Sequence, residues 1–241
     1  MKKLIPAILA VGAFISCNKQ DGPLVQEIPK LYVCPTCVQM PEAKQEHDLN
    51  SSGVYKGIMA GLGVSGTVLI YLHNTGTEKK ATIKLNGKTV ELTTNSLGGW
   101  QPGEKIDTAL FTGTWNSQPV EMRFSVDTNG FNSEVQFDIP GKMLIPFIYK
   151  ETSDVAIESF EGDYTGDAEG VFNIAVNGND VGIIFSGMDI PMVSRLENGK
   201  INFTSESGME IKGNFYDDEA GGTWHNKGTG KSGGWKALRT L

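Results

Sequence analysis

The chain has 241 residues, 28 acidic against 21 basic side chains, a formal net charge of −7, and 39% apolar residues with 30 glycines. That balance argues against nucleic acid, whose affinity depends on basic side chains neutralising phosphates, and equally against a polybasic membrane surface. The glycine content and the recurrence of Val, Ile, Thr, Phe and Tyr describe a turn-rich globular chain with room for one large β-domain or two small ones.

Residues 1–17 open with Met1-Lys2-Lys3, continue as an apolar run from Leu4 to Ile15 and end in Ser16-Cys17. The run is too short to span a bilayer comfortably and reads as an export signal. Phe14-Ile15-Ser16-Cys17 resembles a bacterial lipoprotein signal at its last three positions, with Phe14 where an aliphatic residue is usual. The resemblance implies cleavage before Cys17, acylation of that cysteine (palmitate among the acyl chains) and a lipid anchor in the outer membrane. One chain holds a protein only marginally, so several are expected on Cys17. Asn18-Lys19-Gln20-Asp21 is similar to the short polar stretch of Bacteroidota-type lipoproteins. Removing residues 1–17 takes away Lys2 and Lys3 and no acid, which leaves 19 bases against 28 acids, a net charge of −9.

Residues 18–50 differ from the rest: Pro23, Pro29, Pro35 and Pro41 recur among polar side chains. Proline fixes φ and disfavours helix in the residue before it, so an extended tether is expected, with a short helix from about Glu42 to Asp48 after Pro41. Within it lies Cys34-Pro35-Thr36-Cys37. Two thiols at this spacing can close a disulfide or exchange with one in a substrate. A thioredoxin-like domain would need strands alternating with helices, Val38 stands where haem attachment requires histidine, and only His47 lies near for zinc. A Cys34–Cys37 disulfide in an oxidising compartment is the expectation.

From residue 51 onward the period is two. Val120, Met122, Phe124 and Val126 alternate with Glu121, Arg123, Ser125 and Asp127. Val135, Phe137 and Ile139, and Ala81, Ile83 and Leu85, do likewise, as do Met209, Ile211 and Phe215 opposite Glu210, Lys212 and Asn214. Strands with one face in a core and one in water show this pattern. Asn86-Gly87, Asn129-Gly130, Asn177-Gly178 and Asn198-Gly199 lie between them, and Asn-Gly favours tight hairpins because both residues tolerate positive φ. The predicted fold is all-β: an antiparallel meander over 51–241 forming a barrel or sandwich, either one body or two related halves, 51–150 and 151–241. Short echoes suggest such halves: Gly53-Val54-Tyr55-Lys56-Gly57 with Gly162-Asp163-Tyr164-Thr165-Gly166, Asn-Gly-Lys at 86–88 with 198–200, and Gly113-Thr114-Trp115 with Gly222-Thr223-Trp224. Over residues 160–241, Gly-x-Tyr-x-Gly and the closing Gly-x-Trp steps resemble strands of the avidin and calycin families of small ligand-binding barrels. The resemblance implies a barrel and carries over no ligand-contacting residue.

Chemistry is sparse. Asp127-Thr128-Asn129-Gly130-Phe131-Asn132-Ser133-Glu134 spaces oxygens like a calcium loop, but departs from the EF-hand in glycine position and length, and a hairpin with solvated acids explains it. Asp217-Asp218-Glu219 reads as a solvated turn. His47, His73 and His225 are far apart, and no nucleophile elbow, zinc helix or phosphate loop occurs. No cofactor and no metal site is expected. Candidate binding residues are Tyr164, Trp224 and Trp235, and Met188, Ile190 and Met192 of the apolar loop Gly187–Met192, with a similar loop at Gly61-Leu62-Gly63-Val64. Aromatic side chains of this kind serve as core more often than as a binding face. The expected function is a lipid-anchored envelope protein with a non-catalytic binding or accessory role toward an envelope protein or small ligand. The alternatives are an inhibitory or immunity lipoprotein gripping a protein partner, and a thiol–disulfide or hydrolytic enzyme.

Overall fold

The computed structural model describes residues 32–241. The signal segment and Cys17 lie outside the described residues. From Leu31 on the chain is one compact unit, all-β apart from a 3-10 turn at Gln45–His47, which falls inside the stretch where a short helix is expected.

Sixteen strands form two eight-stranded antiparallel sheets in succession. The first holds β1 (Gly53–Gly61), β2 (Val64–Leu72), β3 (Lys79–Leu85), β4 (Lys88–Thr93), β5 (Ile106–Trp115), β6 (Gln118–Val126), β7 (Glu134–Asp138) and β8 (Ile145–Glu151). Its order is β7-β6-β5-β4-β3-β2-β1-β8, curled around one core. The second holds β9 (Ile157–Gly166), β10 (Gly170–Asn177), β11 (Asp180–Phe185), β12 (Met192–Glu197), β13 (Lys200–Thr204), β14 (Met209–Tyr216), β15 (Glu219–Asn226) and β16 (Lys231–Arg239). There β16 pairs back onto β9, from Gly233 opposite Gly166 to Arg239 opposite Phe160, and the barrel closes. The body is therefore two halves, meeting between Glu151 and Ile157.

The period-two residues sit where alternation puts them: Val120, Met122, Phe124 and Val126 are buried, as are Ala81, Ile83 and Leu85. Asn86-Gly87 and Asn198-Gly199 make tight turns with positive φ at both residues. Asn129-Gly130 instead sits in the longer β6–β7 loop, and at Asn177-Gly178 only the glycine has positive φ. Asn116-Ser117 makes a further two-residue turn without glycine, at φ 49° and 64°; asparagine is the residue that best tolerates such backbone after glycine. The short echoes fall on non-equivalent places. Gly53 opens β1 whereas Gly162 is in mid-β9, and the Asn-Gly-Lys turns join the third and fourth strands of one barrel but the fourth and fifth of the other. They reflect common hairpin chemistry, not register-matched duplication.

The barrels pack side by side. β1 is buried along its whole length because both its faces are covered: Tyr55 and Met59 enter the first core, while Ile58 and Ala60 meet Ala175 and Ile184 of the second barrel, flanked by Phe147 and Val171. Gly182 is required there, since a Cβ on it would lie 2.0 Å from the Phe147 ring. Polar groups complete the seam. Asn173 Nδ2 donates to the Met59 carbonyl at 2.8 Å, and Ser65 Oγ donates to Glu161 Oε1 at 2.7 Å.

Candidate functional site

The two barrels present their ends in common, and the two ends differ. At one, residues 32–50, the described part of the proline-containing segment, lie across both barrels as a strap. Its anchor on the second barrel is Arg239, 2% exposed, which donates to Val38 O at 2.7 Å and Gln39 Oε1 at 3.2 Å. The same guanidinium pairs with Asp218 at 3.2 Å and Glu158 at 3.1 Å. Burial lifts the Glu158 carboxyl above the ordinary carboxylate range, against the pull of Arg239. Asp218, read from sequence as a solvated acid, is buried and accepts the Cys34 amide at 2.8 Å.

On the first barrel the anchor is Glu151, which has no exposed surface. One carboxylate oxygen accepts the amides of Glu42 (2.7 Å) and Ala43 (3.2 Å), and the other accepts the amide of Ile157 (3.0 Å). Lys56 bridges Glu151 (2.7 Å) and Glu42 (2.8 Å), and Tyr71 OH donates to Glu42 at 2.8 Å. Burial works against the Glu42 carboxylate, but the bonds from Lys56 and Tyr71 outweigh it and hold the carboxyl below its usual value.

Lys150 is buried beside this network. Its ammonium donates to Ser52 O and lies 4.9 Å from the Tyr55 ring centre. Burial pulls it down to about 8, with Asp48 opposing. Below pH 8 the ammonium is charged folded and unfolded, and only the fold bears the desolvation cost. From pH 8 to 10.5 the folded state sheds the proton first, so this residue's contribution to stability rises with pH. The urea midpoint of the wild type is expected to gain over that of Lys150→Met across that window, by the equivalent of about 1–3 kcal/mol. Parallel pH profiles for the two proteins would refute the assignment.

The enzymatic alternatives meet obstacles here. His47 Nδ1 lies 2.6 Å from Ser52 Oγ, the one serine–histidine contact among the described residues. Ser52 is fully buried, and its hydroxyl also bonds Asn50 Oδ1 at 2.5 Å, so no substrate reaches it. A shallow cleft of about 1100 Å3 lies alongside, lined by Lys44–His47, His73–Gly76 and Pro102. Cys34 and Cys37 form the disulfide, Cα to Cα 5.5 Å. In the loop 127–134, Asp127 and Asn129 accept from Asn132 and Phe131 of the same loop. Among the described residues no group of three metal-ligating side chains is assembled.

At the opposite end no strap lies among the described residues. Loops 62–63, 139–144 and 186–191 come together around a trough of about 270 Å3 lined by Gly61, Leu62, Met143, Ile145, Met188 and Asp189 among others. It joins a groove of about 550 Å3 that shares Ile145 and Asp189 and adds Ile190 and Pro191. Leu62 is 81%, Met143 84% and Ile190 70% exposed. The two apolar loops singled out in the sequence thus meet in space, and the β7–β8 turn, not singled out, completes them. Its apolar residues, Met143 and Leu144, adjoin a strand and read as part of it.

The other candidates divide. Tyr164, Met188 and Trp224 line a cavity of about 230 Å3 at the mouth of the second barrel, with Phe185 and Met209. Trp224 Nε1 donates to Thr165 O at 3.0 Å. Trp235 lies inside the same barrel, 4.6 Å from Phe172, with Nε1 donating to Lys212 O at 3.2 Å. Met192 opens β12 and is buried in that core, because Pro191 already ends the loop. Comparison of the chain with family models, with curated proteins and with solved structures finds no match to any of them.

Proposed function

We propose that the chain is a lipid-anchored outer-membrane protein, acylated at Cys17, with a non-catalytic accessory or inhibitory role exercised by binding a protein partner through the strap-free end of the paired barrels. The observation that carries this reading is that exposed Leu62 and Met143 line the trough and exposed Ile190 lines the groove that joins it through Ile145 and Asp189. Isolated exposed apolar residues are ordinary, but a contiguous patch rimmed by polar groups marks an interaction surface. The signal segment supports the address, and the chain from Cys17 enters the described body at Tyr32, on the strapped side.

A second reading rests on the mouth of the second barrel. Its cavity of about 230 Å3 is below the usual range for drug-sized ligands and suits a single ring or a short chain.

The test is cross-linked recovery of a partner from envelope extracts by wild type, Leu62→Asp/Ile190→Asp, and Ala168→Trp, which fills the mouth. The double variant is expected to lose recovery about tenfold or more, the scale of one or two central interface residues, while Ala168→Trp retains it. Loss only in Ala168→Trp would move the site to the mouth, and undiminished recovery by the double variant would remove the trough. Cys17→Ser should abolish acyl labelling and membrane fractionation, and persistence of either would overturn the anchor.

A further inference from the structure

The first sheet does not close as the second does. Among the described residues β7 bonds only to β6 and β8 only to β1, whereas β16 returns to β9 in the second barrel. The only bridge near the seam is the turn pair Ile139–Lys142. Within the described residues two edges therefore retain unpaired amides and carbonyls, which is the template on which another chain pairs. Proteins commonly blunt such edges with proline, and Pro146 removes one donor from β8. β7, Glu134–Asp138, contains no proline.

The groove of about 550 Å3 lies along this seam. One wall is the outer side of β7 at Glu134 and Gln136, and the other is Leu144, Ile145 and Phe147, with Ile190 above. Glu134 and Asp189 are the only charged residues lining it, and both are acidic. An occupant matching these walls has a period of two, apolar side chains toward Leu144, Ile145 and Ile190, and basic ones beside Glu134 and Asp189. Opposite charges facing each other across neighbouring strands stabilise such pairing.

We propose that the β7–β8 seam is a strand-addition site, taking an extended segment of the partner protein that alternates apolar and basic residues and pairs with the free edge of β7. This rests on the protein-partner reading above and deepens it. In strand addition, main-chain bonds supply affinity and alternate side chains supply selectivity.

The probe is a fluorescein-labelled peptide of alternating lysine and valine, titrated into the full chain by anisotropy. Two further forms carry N-methyl groups on one or the other alternate set of amides. The unmodified peptide is expected to bind and to slow amide exchange in β7. At least one N-methylated form should bind about tenfold more weakly, as loss of one or two backbone bonds implies. Glu134→Lys and Ile190→Asp, both at exposed positions, should each weaken the unmodified peptide several-fold.

Absence of binding at millimolar peptide, or equal binding by all three forms, would overturn strand addition. So would Ile190-dependent binding to phosphatidylethanolamine/phosphatidylglycerol vesicles with no response to the peptide, which would make the groove a membrane contact. If Leu62→Asp/Ile190→Asp abolishes partner recovery while N-methylation has no effect, the protein-partner reading stands and the seam does not.

Discussion

Glu151→Ala is expected to destabilise the protein by about 3–5 kcal/mol, because it leaves the buried Lys56 ammonium without its closest partner and strips three backbone amides of their acceptor. Urea unfolding followed by intrinsic fluorescence measures it. The geometry makes a sharper statement than the size of the loss. Were Glu151 only the partner of Lys56, the apolar pair Lys56→Met/Glu151→Leu would restore stability, as removing both halves of a buried ion pair often does. The amides of Glu42, Ala43 and Ile157 also depend on this carboxylate, so the double variant is expected to recover only part of the loss. Full recovery would show that the carboxylate does not hold the strap.

Arg239→Met should cost about 3–4 kcal/mol, since it keeps the apolar stem but leaves Asp218 and Glu158 facing each other without a cation. It also frees the Val38 carbonyl and the Gln39 side chain, and with them the strap over the second barrel. Limited proteolysis should then cut between residues 32 and 44 while the barrels remain folded. Arg239→Lys keeps the charge but not the planar fork that reaches five partners at once, Leu241 O included, and is expected to recover less than half of the loss. Unchanged resistance of the strap in Arg239→Met would mean that the disulfide loop is held by other contacts.

The strands were legible and the strap was not, for one physical reason. Alternation such as Val120-Glu121-Met122-Arg123-Phe124 is a local signal, because each residue's face is decided by its immediate neighbours. Whether Glu151, Lys150 and Arg239 are solvated or buried is decided by a segment 98 to 201 positions away, and four spaced prolines say nothing about where that segment lies down. A hint existed in composition: Lys56 interrupts an otherwise uncharged strand, Gly53–Gly61, and Lys150-Glu151 ends the apolar run Ile145–Tyr149. Charges placed inside apolar strands need partners.

The same division holds for the candidate site. Leu62 and Ile190 were readable as apolar residues where turns are normally polar. That their loops share one trough follows from the packing of Ile58 and Ala60 on Ala175 and Ile184, which is long-range. Met192 read as loop, and Trp235 as a candidate binding residue beside its commoner core reading, because Pro-Met and Gly-x-Trp carry no mark of facing. In the fold Trp235 lies against Gly213, where a Cβ would come within 2.2 Å of the indole.

The proposed function makes the end that carries Leu62 and Ile190 the working face and leaves the strapped end a structural role. Leu62 and Leu49 distinguish the two ends: both are leucines, both are 81% exposed, and they sit at opposite ends. A photo-reactive benzoylphenylalanine placed at either position, in the full lipidated chain on intact cells, reports what each end touches. A discrete protein adduct is expected from position 62 that disappears with Ile190→Asp, and none from position 49. An adduct from position 49 with none from position 62 would contradict the proposed function.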